Sequence, residues 1–153
     1  MQKITTFLTY DHQAEEAVKL YTSVFKNSRI VSTSRYGDAG PGPKGSLMSA
    51  TFEIEGQQFI ALNGGPTFKF ALGISLFVSC ETQAEIDELW EKLSAGGHKD
   101  QCGWLTDKFG VAWQIVPSVL GPLLNSKDAE KAKRVMTAML QMTKLDIAKL
   151  QNA

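Results

Sequence analysis

The sequence is poor in the residues that build metal centres and disulfide scaffolds. Its 153 residues include only 2 cysteines and 2 histidines. Cys80 and Cys102 lie far apart and lack the close spacing of a zinc site or a disulfide framework. Isolated thiols are typical of a reducing compartment, so we expect free cysteines and a cytoplasmic protein.

Net charge and long apolar runs are also absent. The 16 lysines and arginines equal the 16 aspartates and glutamates in number, so no positive field favours nucleic acid or anionic lipid. No run approaches the roughly 18 apolar residues of a membrane span, and the N-terminus lacks the apolar core of a signal peptide. We therefore expect neither a nucleic-acid nor a membrane partner, and we expect one domain over residues 1–153.

The first half of the chain alternates between strand and helix patterns. From Ala14 the apolar residues recur at helical spacing, with Asp11 or His12 near the cap. Residues 37–45 are rich in glycine and contain two prolines, which predicts a surface loop and, as a hypothesis, a lid. Patterns typical of strands cover residues 4–10, 29–36, 49–54 and 57–62.

The second half repeats this order. Thr82 and Glu85 form a capping box that opens a helix, and two glycines at 96–97 end it. A turn at Asp107 separates the last two strand patterns. Strand patterns cover residues 74–80, 101–105 and 111–116.

A short internal match supports a duplication. Residues 13–15 and residues 83–85 both read Gln-Ala-Glu, and both follow directly after a strand pattern. We therefore predict an α+β fold of two βαβββ modules, about 1–66 and 72–118, that form a curled mixed sheet around a cavity.

A helical extension over residues 126–151 follows the two modules. Its apolar face must cover either the domain's own sheet or a partner subunit, and both interpretations stay open. The methionines on this face favour helix packing over a ligand groove. The face carries Ala132, Val135, Met136, Met139 and Leu140, and a shorter segment carries Leu145, Ile147 and Leu150.

Three segments carry a family resemblance: QQFIALNGGP at 57–66, QCGWLTDKFG at 101–110 and WQIVP at 113–117. With the tandem βαβββ order, they resemble the PhnB-like branch of the vicinal oxygen chelate superfamily, which includes glyoxalases and bleomycin-resistance proteins. Some members of this branch carry the description 3-demethylubiquinone-9 3-methyltransferase. The resemblance implies paired modules that curl around a ligand pocket, often in a homodimer, with a metal held by one residue from each of four strands.

The metal-ligand positions that the resemblance implies fall on Thr5, Ala61, Ser75 and Gln114. Of these side chains, only that of Gln114 is a plausible ligand, because divalent metals in such sites take imidazole and carboxylate donors. We therefore predict that the protein holds no metal and no other cofactor. His12 and His98 are interpreted as surface residues.

Strand alternation then selects the side chains that face the implied pocket. Phenylalanines interleaved with small hydroxyl and amide groups suit a small, partly apolar or aromatic ligand. In the alternative interpretation the cavity is filled and the phenylalanines are ordinary core. The predicted pocket residues are Thr5, Phe7, Phe59, Ala61, Asn63, Ser75, Phe77, Cys102, Trp104 and Gln114.

For four further side chains we favour a structural or surface role over a functional one. Cys102 is interpreted as an inert buried thiol rather than a nucleophile. Asp107 and Lys108 are interpreted as solvated turn residues rather than acid–base groups. Arg35 is interpreted as a surface residue, with attraction of an anionic ligand group as the alternative. No catalytic residue is assigned.

Three functions stay open at this point. The first is metal-independent binding of a small molecule between the modules. The second is an enzyme, either a methyltransferase acting on a quinone-like ring or a divalent-metal lyase or dioxygenase-like activity. Against methyl transfer, S-adenosylmethionine is usually cradled by a glycine-rich turn between strand and helix, whereas residues 37–45 precede a strand. The third is a dimerisation module built on the C-terminal helix.

Overall fold

The computed structural model describes residues 2–153 and divides the chain into two compact units, Met1–Lys69 and Phe70–Ala153. The first unit has the predicted βαβββ order. Its elements are β1 (Thr6–Tyr10), α1 (Ala14–Val24), β2 (Ser28–Arg35), β3 (Leu47–Ile54) and β4 (Gln57–Asn63).

The second unit repeats the order and then adds three helices. His98 lies in a short strand, and neither this strand nor the helix α3 was predicted. The predicted C-terminal extension consists of two helices. The elements are β5 (Ser75–Cys80), α2 (Gln83–Ser94), β6 (His98–Lys99), β7 (Trp104–Thr106), β8 (Ala112–Pro117), α3 (Leu120–Leu124), α4 (Ala129–Leu140) and α5 (Ile147–Gln151).

Each unit builds its own four-stranded mixed sheet. The strand orders are β1-β4-β3-β2 and β5-β8-β7-β6. In each sheet the first and last strands of the module pair in parallel, and the other neighbours are antiparallel. The predicted α+β fold of two βαβββ modules is confirmed.

The core of the first unit lies between α1 and one face of its sheet. The apolar stripe of α1 is buried, and the Tyr21 ring lies 6.2 Å from the Phe52 ring. Phe52 stacks in turn on Phe59 with ring centroids 5.4 Å apart. Such aromatic packing contributes both buried area and ring–ring attraction to the core.

The helix α1 begins beside Asp11 and His12, as the sequence predicted. Its N-cap is Gln13, whose side chain makes no capping hydrogen bond. Instead, Asn63 Oδ1 accepts a hydrogen bond of 2.8 Å from the Ala14 amide. This contact arises because β1 pairs in parallel with β4, which brings the end of β4 beside the start of α1.

In the second unit the predicted capping box is half formed. Thr82 Oγ1 accepts from the Glu85 amide at 3.2 Å, as expected of an N-cap threonine. The Glu85 carboxylate accepts from the Glu81 amide rather than from that of Thr82. The helix buries an apolar stripe of Ile86, Leu89, Trp90 and Leu93.

The C-terminal helices pack within the second unit. Val135, Leu145 and Leu150 are fully buried in a cluster with residues of β8 and α3. Packing within the chain therefore accounts for one side of the predicted apolar face. Met136 and Leu140 stay exposed on the other side. No helix among residues 2–153 is both long and apolar enough to cross a bilayer.

Candidate functional site

The second sheet presents a row of three side chains on the face opposite α2. Gln114 on β8 pairs with Phe77 on β5 and with Trp104 on β7. Paired residues on neighbouring strands point to the same side of a sheet, so an amide lies between two aromatic side chains. Trp113 and Ile115, the neighbours of Gln114, are buried on the other face. We call Phe77, Gln114 and Trp104 the aromatic row.

Within the aromatic row Phe77 is exposed, whereas Gln114 and Trp104 are half-buried. Phe77 is 60% exposed although it is a large apolar residue. Gln114 Nε2 donates a hydrogen bond of 2.9 Å to Ser75 Oγ on β5. Among residues 2–153 no group donates a side-chain hydrogen bond to Gln114 Oε1, so this oxygen can accept one from a ligand.

In the first unit the side chains of β4 point to the opposite faces of the sheet from those predicted. Phe7 pairs with Ile60, whereas Ala61 pairs with the buried Leu8. Phe59 and Ala61 therefore lie on the face covered by α1, where they are 8% and 0% exposed. The reason is the stacking of Phe59 on Phe52 beneath α1. For Phe59 the alternative interpretation, an ordinary core residue, is correct.

The other predicted positions of the first unit fall in different environments. Phe7 is 52% exposed on the face away from α1, and Thr5, which directly precedes β1, is half-buried. Both polar atoms of the Asn63 side chain make hydrogen bonds within the first unit. Its Oδ1 accepts from the Ala14 amide, and its Nδ2 donates to the Leu47 carbonyl at 3.0 Å. Sequence reasoning missed this structural role of Asn63.

The two cysteines are free, and neither belongs to the aromatic row. Cys102 has a positive φ of 59° and lies against the end of α4, where its Sγ is 3.5 Å from the Met139 carbonyl oxygen. Burial, together with the nearby Glu85 and Glu81 carboxylates, raises the pKa of the Cys80 thiol to about 12. The Cys80 thiol is therefore protonated at neutral pH and is a poor nucleophile.

The residues at the implied metal positions do not fit a divalent cation. No group of three His, Cys, Asp or Glu side chains within residues 2–153 is arranged to hold one. In the first sheet Ala61 offers no donor atom and is buried beneath α1. In the second sheet Ser75 and Gln114 are hydrogen-bonded to each other, and neither carries the charge that such sites use.

The chain also does not fit the usual cradle for S-adenosylmethionine. The glycine-rich residues 37–45 connect β2 to β3, which pair antiparallel. The strand-to-helix junctions, residues 11–13 and 81–82, contain no glycine. A glycine-rich turn between a strand and a helix is the feature that lets a nucleotide approach the backbone.

Asp107 is not the solvated turn residue that the sequence predicted. It is 2% exposed, and its Oδ1 accepts hydrogen bonds from the Phe109 and Val111 amides at 2.9 and 3.0 Å. Its Oδ2 accepts from Trp113 Nε1 at 2.9 Å. Asp107 therefore organises the turn before β8. Its neighbour Lys108 places its ammonium group 5.3 Å from the centre of the Phe109 ring.

Arg35 is engaged with a carboxylate of its own unit. Its Nη2 lies 2.7 Å from Glu15 Oε2, and the hydrogen bond from Arg35 lowers the pKa of the Glu15 carboxyl. The pair is exposed, which agrees with the surface interpretation of Arg35. His12 and His98 are likewise exposed.

Two helix-covered βαβββ sheets define a protein of the glyoxalase-like class. A family model described as 3-demethylubiquinone-9 3-methyltransferase matches residues 2–116. The chain belongs to this PhnB-like family of the glyoxalase and bleomycin-resistance superfamily. The helices α3, α4 and α5 lie beyond the matched residues.

Solved structures agree with this assignment. A PhnB protein from Bacillus cereus is 43% identical, with a TM-score of 0.71 over 76% of this chain and 99% of that chain. A protein from Pseudomonas aeruginosa, 21% identical, shares the fold with a TM-score of 0.65 over 76% of this chain and 98% of its own. A comparison with curated proteins found no match.

Proposed function

We propose that this protein binds a small, partly apolar or aromatic molecule on the aromatic row without using a metal. The observation that carries the proposal is the cross-strand row in which the exposed Phe77 and the half-buried Trp104 flank the Gln114 amide. A contiguous apolar surface rimmed by polar groups is typical of ligand-binding and interaction sites.

The chemistry of the row indicates how a ligand would lie. A planar apolar group stacks on the Phe77 and Trp104 rings, which supplies buried area. A hydroxyl or N–H group of the ligand donates to Gln114 Oε1, while Ser75 holds the Gln114 amide in place. The hydrogen bond contributes about 1 kcal/mol and fixes the orientation of the ligand.

The donor chemistry of the four implied ligand positions supports a metal-free site. We expect the elemental composition of protein purified without chelator to contain no stoichiometric transition metal. Ligand binding is then unchanged by EDTA, because the Ser75 and Gln114 side chains pair with each other rather than with a cation.

A pair of naphthalene probes tests the role of Gln114. We expect 2-naphthol, which has a hydroxyl donor, to bind about fivefold more tightly than 2-methoxynaphthalene, measured by fluorescence titration. Gln114→Leu abolishes this difference, whereas Gln57→Leu, an exposed strand glutamine in the other unit, retains it. Equal binding of both probes to the unmodified protein contradicts the proposal.

An enzyme is the second candidate, and the family description is the observation that favours it. Methyl transfer requires S-adenosylmethionine, which usually binds at a glycine-rich turn between a strand and a helix. The glycine-rich residues 37–45 instead connect two strands, β2 and β3. Calorimetric titration with S-adenosylmethionine separates the two functions. We expect no heat of binding, and micromolar binding would favour the methyltransferase.

We also propose that the protein forms a homodimer, as the resemblance implies, and resides in the cytoplasm. Met136 and Leu140 on α4 are 41% and 56% exposed and support a contact between copies. Light scattering after size-exclusion chromatography measures the mass directly. A mass of one chain at micromolar concentration would contradict the dimer.

If neither probe nor cofactor binds but the dimer forms, the protein is a dimerisation module.

A further inference from the structure

A separate cavity lies within the first unit, at the ends of β1 and β4 where they lead into the loops. Its volume is about 330 Å³, which is in the range of small-molecule sites. Tyr36 and three prolines, Pro41, Pro43 and Pro66, supply its apolar walls. Neither the family description nor the aromatic row uses this cavity.

The walls of the cavity are held by hydrogen bonds. Tyr36 is 8% exposed, and its hydroxyl donates to the Asn63 carbonyl oxygen at 2.7 Å. The Tyr36 amide donates to the Ser46 carbonyl at 2.9 Å, and the Gly45 amide donates to the Tyr36 carbonyl at 2.8 Å. The glycine-rich loop is thus closed against Tyr36, and the cavity is formed before any ligand arrives.

Close backbone packing around Tyr36 explains the glycines and prolines of this region. A Cβ at Gly42 would lie 2.3 Å from ring carbons of Tyr36, so only glycine lets the loop backbone contact the ring. The prolines restrict the loop backbone on both sides of Gly42. The loop therefore forms a defined apolar wall beside the Tyr36 ring.

The electrostatics of the cavity exclude an anionic ligand. Among the described residues that line it, none is lysine or arginine. The Gly64 and Gly65 amides already donate to the Tyr10 and Asp11 carbonyls at 2.8 and 3.1 Å, so they form no cradle for an anion. The Asp11 carboxylate, with its side chain 47% exposed, is the anionic group of the lining.

We propose that this cavity binds a small organic ammonium ion with an apolar body. The apolar body packs on Tyr36 and the prolines, and the ammonium group pairs with the Asp11 carboxylate. His12 Nδ1 lies 3.5 Å from Asp11 Oδ2, beside the carboxylate that pairs with the ammonium group. The proposal does not rest on binding at the aromatic row, which lies in the other unit.

Three compounds of similar shape and different charge test the proposal: benzylamine, benzyl alcohol and benzoate. Amide chemical shifts of the full chain are followed by NMR at pH 8. We expect benzylamine to shift the amides of Asp11, Tyr36 and Gly42 and to bind at least about fivefold more tightly than benzyl alcohol. Benzoate leaves these amides unchanged.

Two variants connect the preference to Asp11. Asp11→Asn keeps the backbone contacts and removes the charge, so benzylamine then binds no better than benzyl alcohol. Asp38→Asn, on the glycine-rich loop of residues 37–45, is the matched control, because Asp38 pairs with Lys44 at 2.9 Å and does not line the cavity. We expect this control to bind benzylamine like the unmodified protein.

His12→Asn provides a second, independent readout. Removing the imidazole leaves the benzylamine preference intact, because the ammonium group pairs with the Asp11 carboxylate and not with His12. Equal binding of benzylamine and benzyl alcohol, shifts confined to other residues, or full benzylamine binding by Asp11→Asn would each overturn the proposal.

Discussion

The two units share one order of elements but begin their helices in different ways. In the second unit Thr82 caps α2 from the adjacent position in sequence. In the first unit Asn63, at the end of β4, supplies the acceptor for α1. The position of the second sheet that corresponds to Asn63 is Pro117, since Tyr10 pairs with Asn63 and Cys80 pairs with Pro117. The same helix start is thus stabilised locally in one unit and by a distant residue in the other.

The sheets differ in a related way. The strands β2 and β3 have 8 residues each, whereas β6 and β7 have 2 and 3. The second unit has shorter strand pairing, and two other features stabilise that region. Asp107 accepts hydrogen bonds from the turn and from Trp113, and the segment after α4 contacts the β6–β7 turn through the Cys102 amide. A duplicated topology therefore does not imply duplicated stabilising contacts.

The largest effect is expected for Asp107→Ala in the second unit. The change leaves the buried Val111 amide and Trp113 indole N–H without their acceptor, which costs about 3–5 kcal/mol of unfolding free energy. Urea denaturation measures it. Asp38→Ala, at an exposed aspartate, changes the free energy by less than about 0.5 kcal/mol. Similar stability of the two variants would show that Asp107 is not an organising residue.

A smaller and more direct comparison sets Asn63→Ala against Thr82→Ala. Asn63→Ala removes a cap and also the hydrogen bond to the Leu47 carbonyl, so we expect a loss of about 2–3 kcal/mol. Thr82→Ala removes one capping hydrogen bond and costs about 1 kcal/mol. Thermal and urea unfolding give both values, and a larger effect at Thr82 would contradict the difference between the units.

The smallest effect concerns the exposed pair of Glu15 and Arg35. Because the pKa of Glu15 is lowered in the folded protein, its contribution is present above the ordinary value of 4.5 and is lost as the pH falls below it. Glu15→Gln is expected to cost at most about 0.5 kcal/mol at pH 7, owing to solvent screening. The difference in unfolding free energy between the two proteins shrinks as the pH falls below 4.5, and a difference that grows there would contradict this prediction.

The order of elements could be predicted from the sequence because periodicity is a local signal. The two faces of β8 could also be assigned from the sequence, because bulky Trp113 and Ile115 alternate with Gln114. On β4 both faces are apolar, with Phe59 and Ala61 on one side and Ile60 on the other, so alternation offers no contrast. Only the pairing register with β1 resolves this choice.

The roles of Asn63 and Asp107 could not be predicted for a different reason. Both are residue types that favour turns and surfaces, and their partners depend on tertiary contacts. Asn63 reaches Ala14 across 49 positions of sequence. For Asp107 the available signal is the nearby Trp113, whose indole N–H needs an acceptor when it is buried.

Native mass spectrometry of protein purified without chelator or added metal tests metal-independent ligand binding most directly. We expect a mass without a stoichiometric transition metal and an organic adduct that is weakened in Gln114→Leu but retained in Gln57→Leu. A stoichiometric metal that survives purification and is lost with EDTA would contradict it.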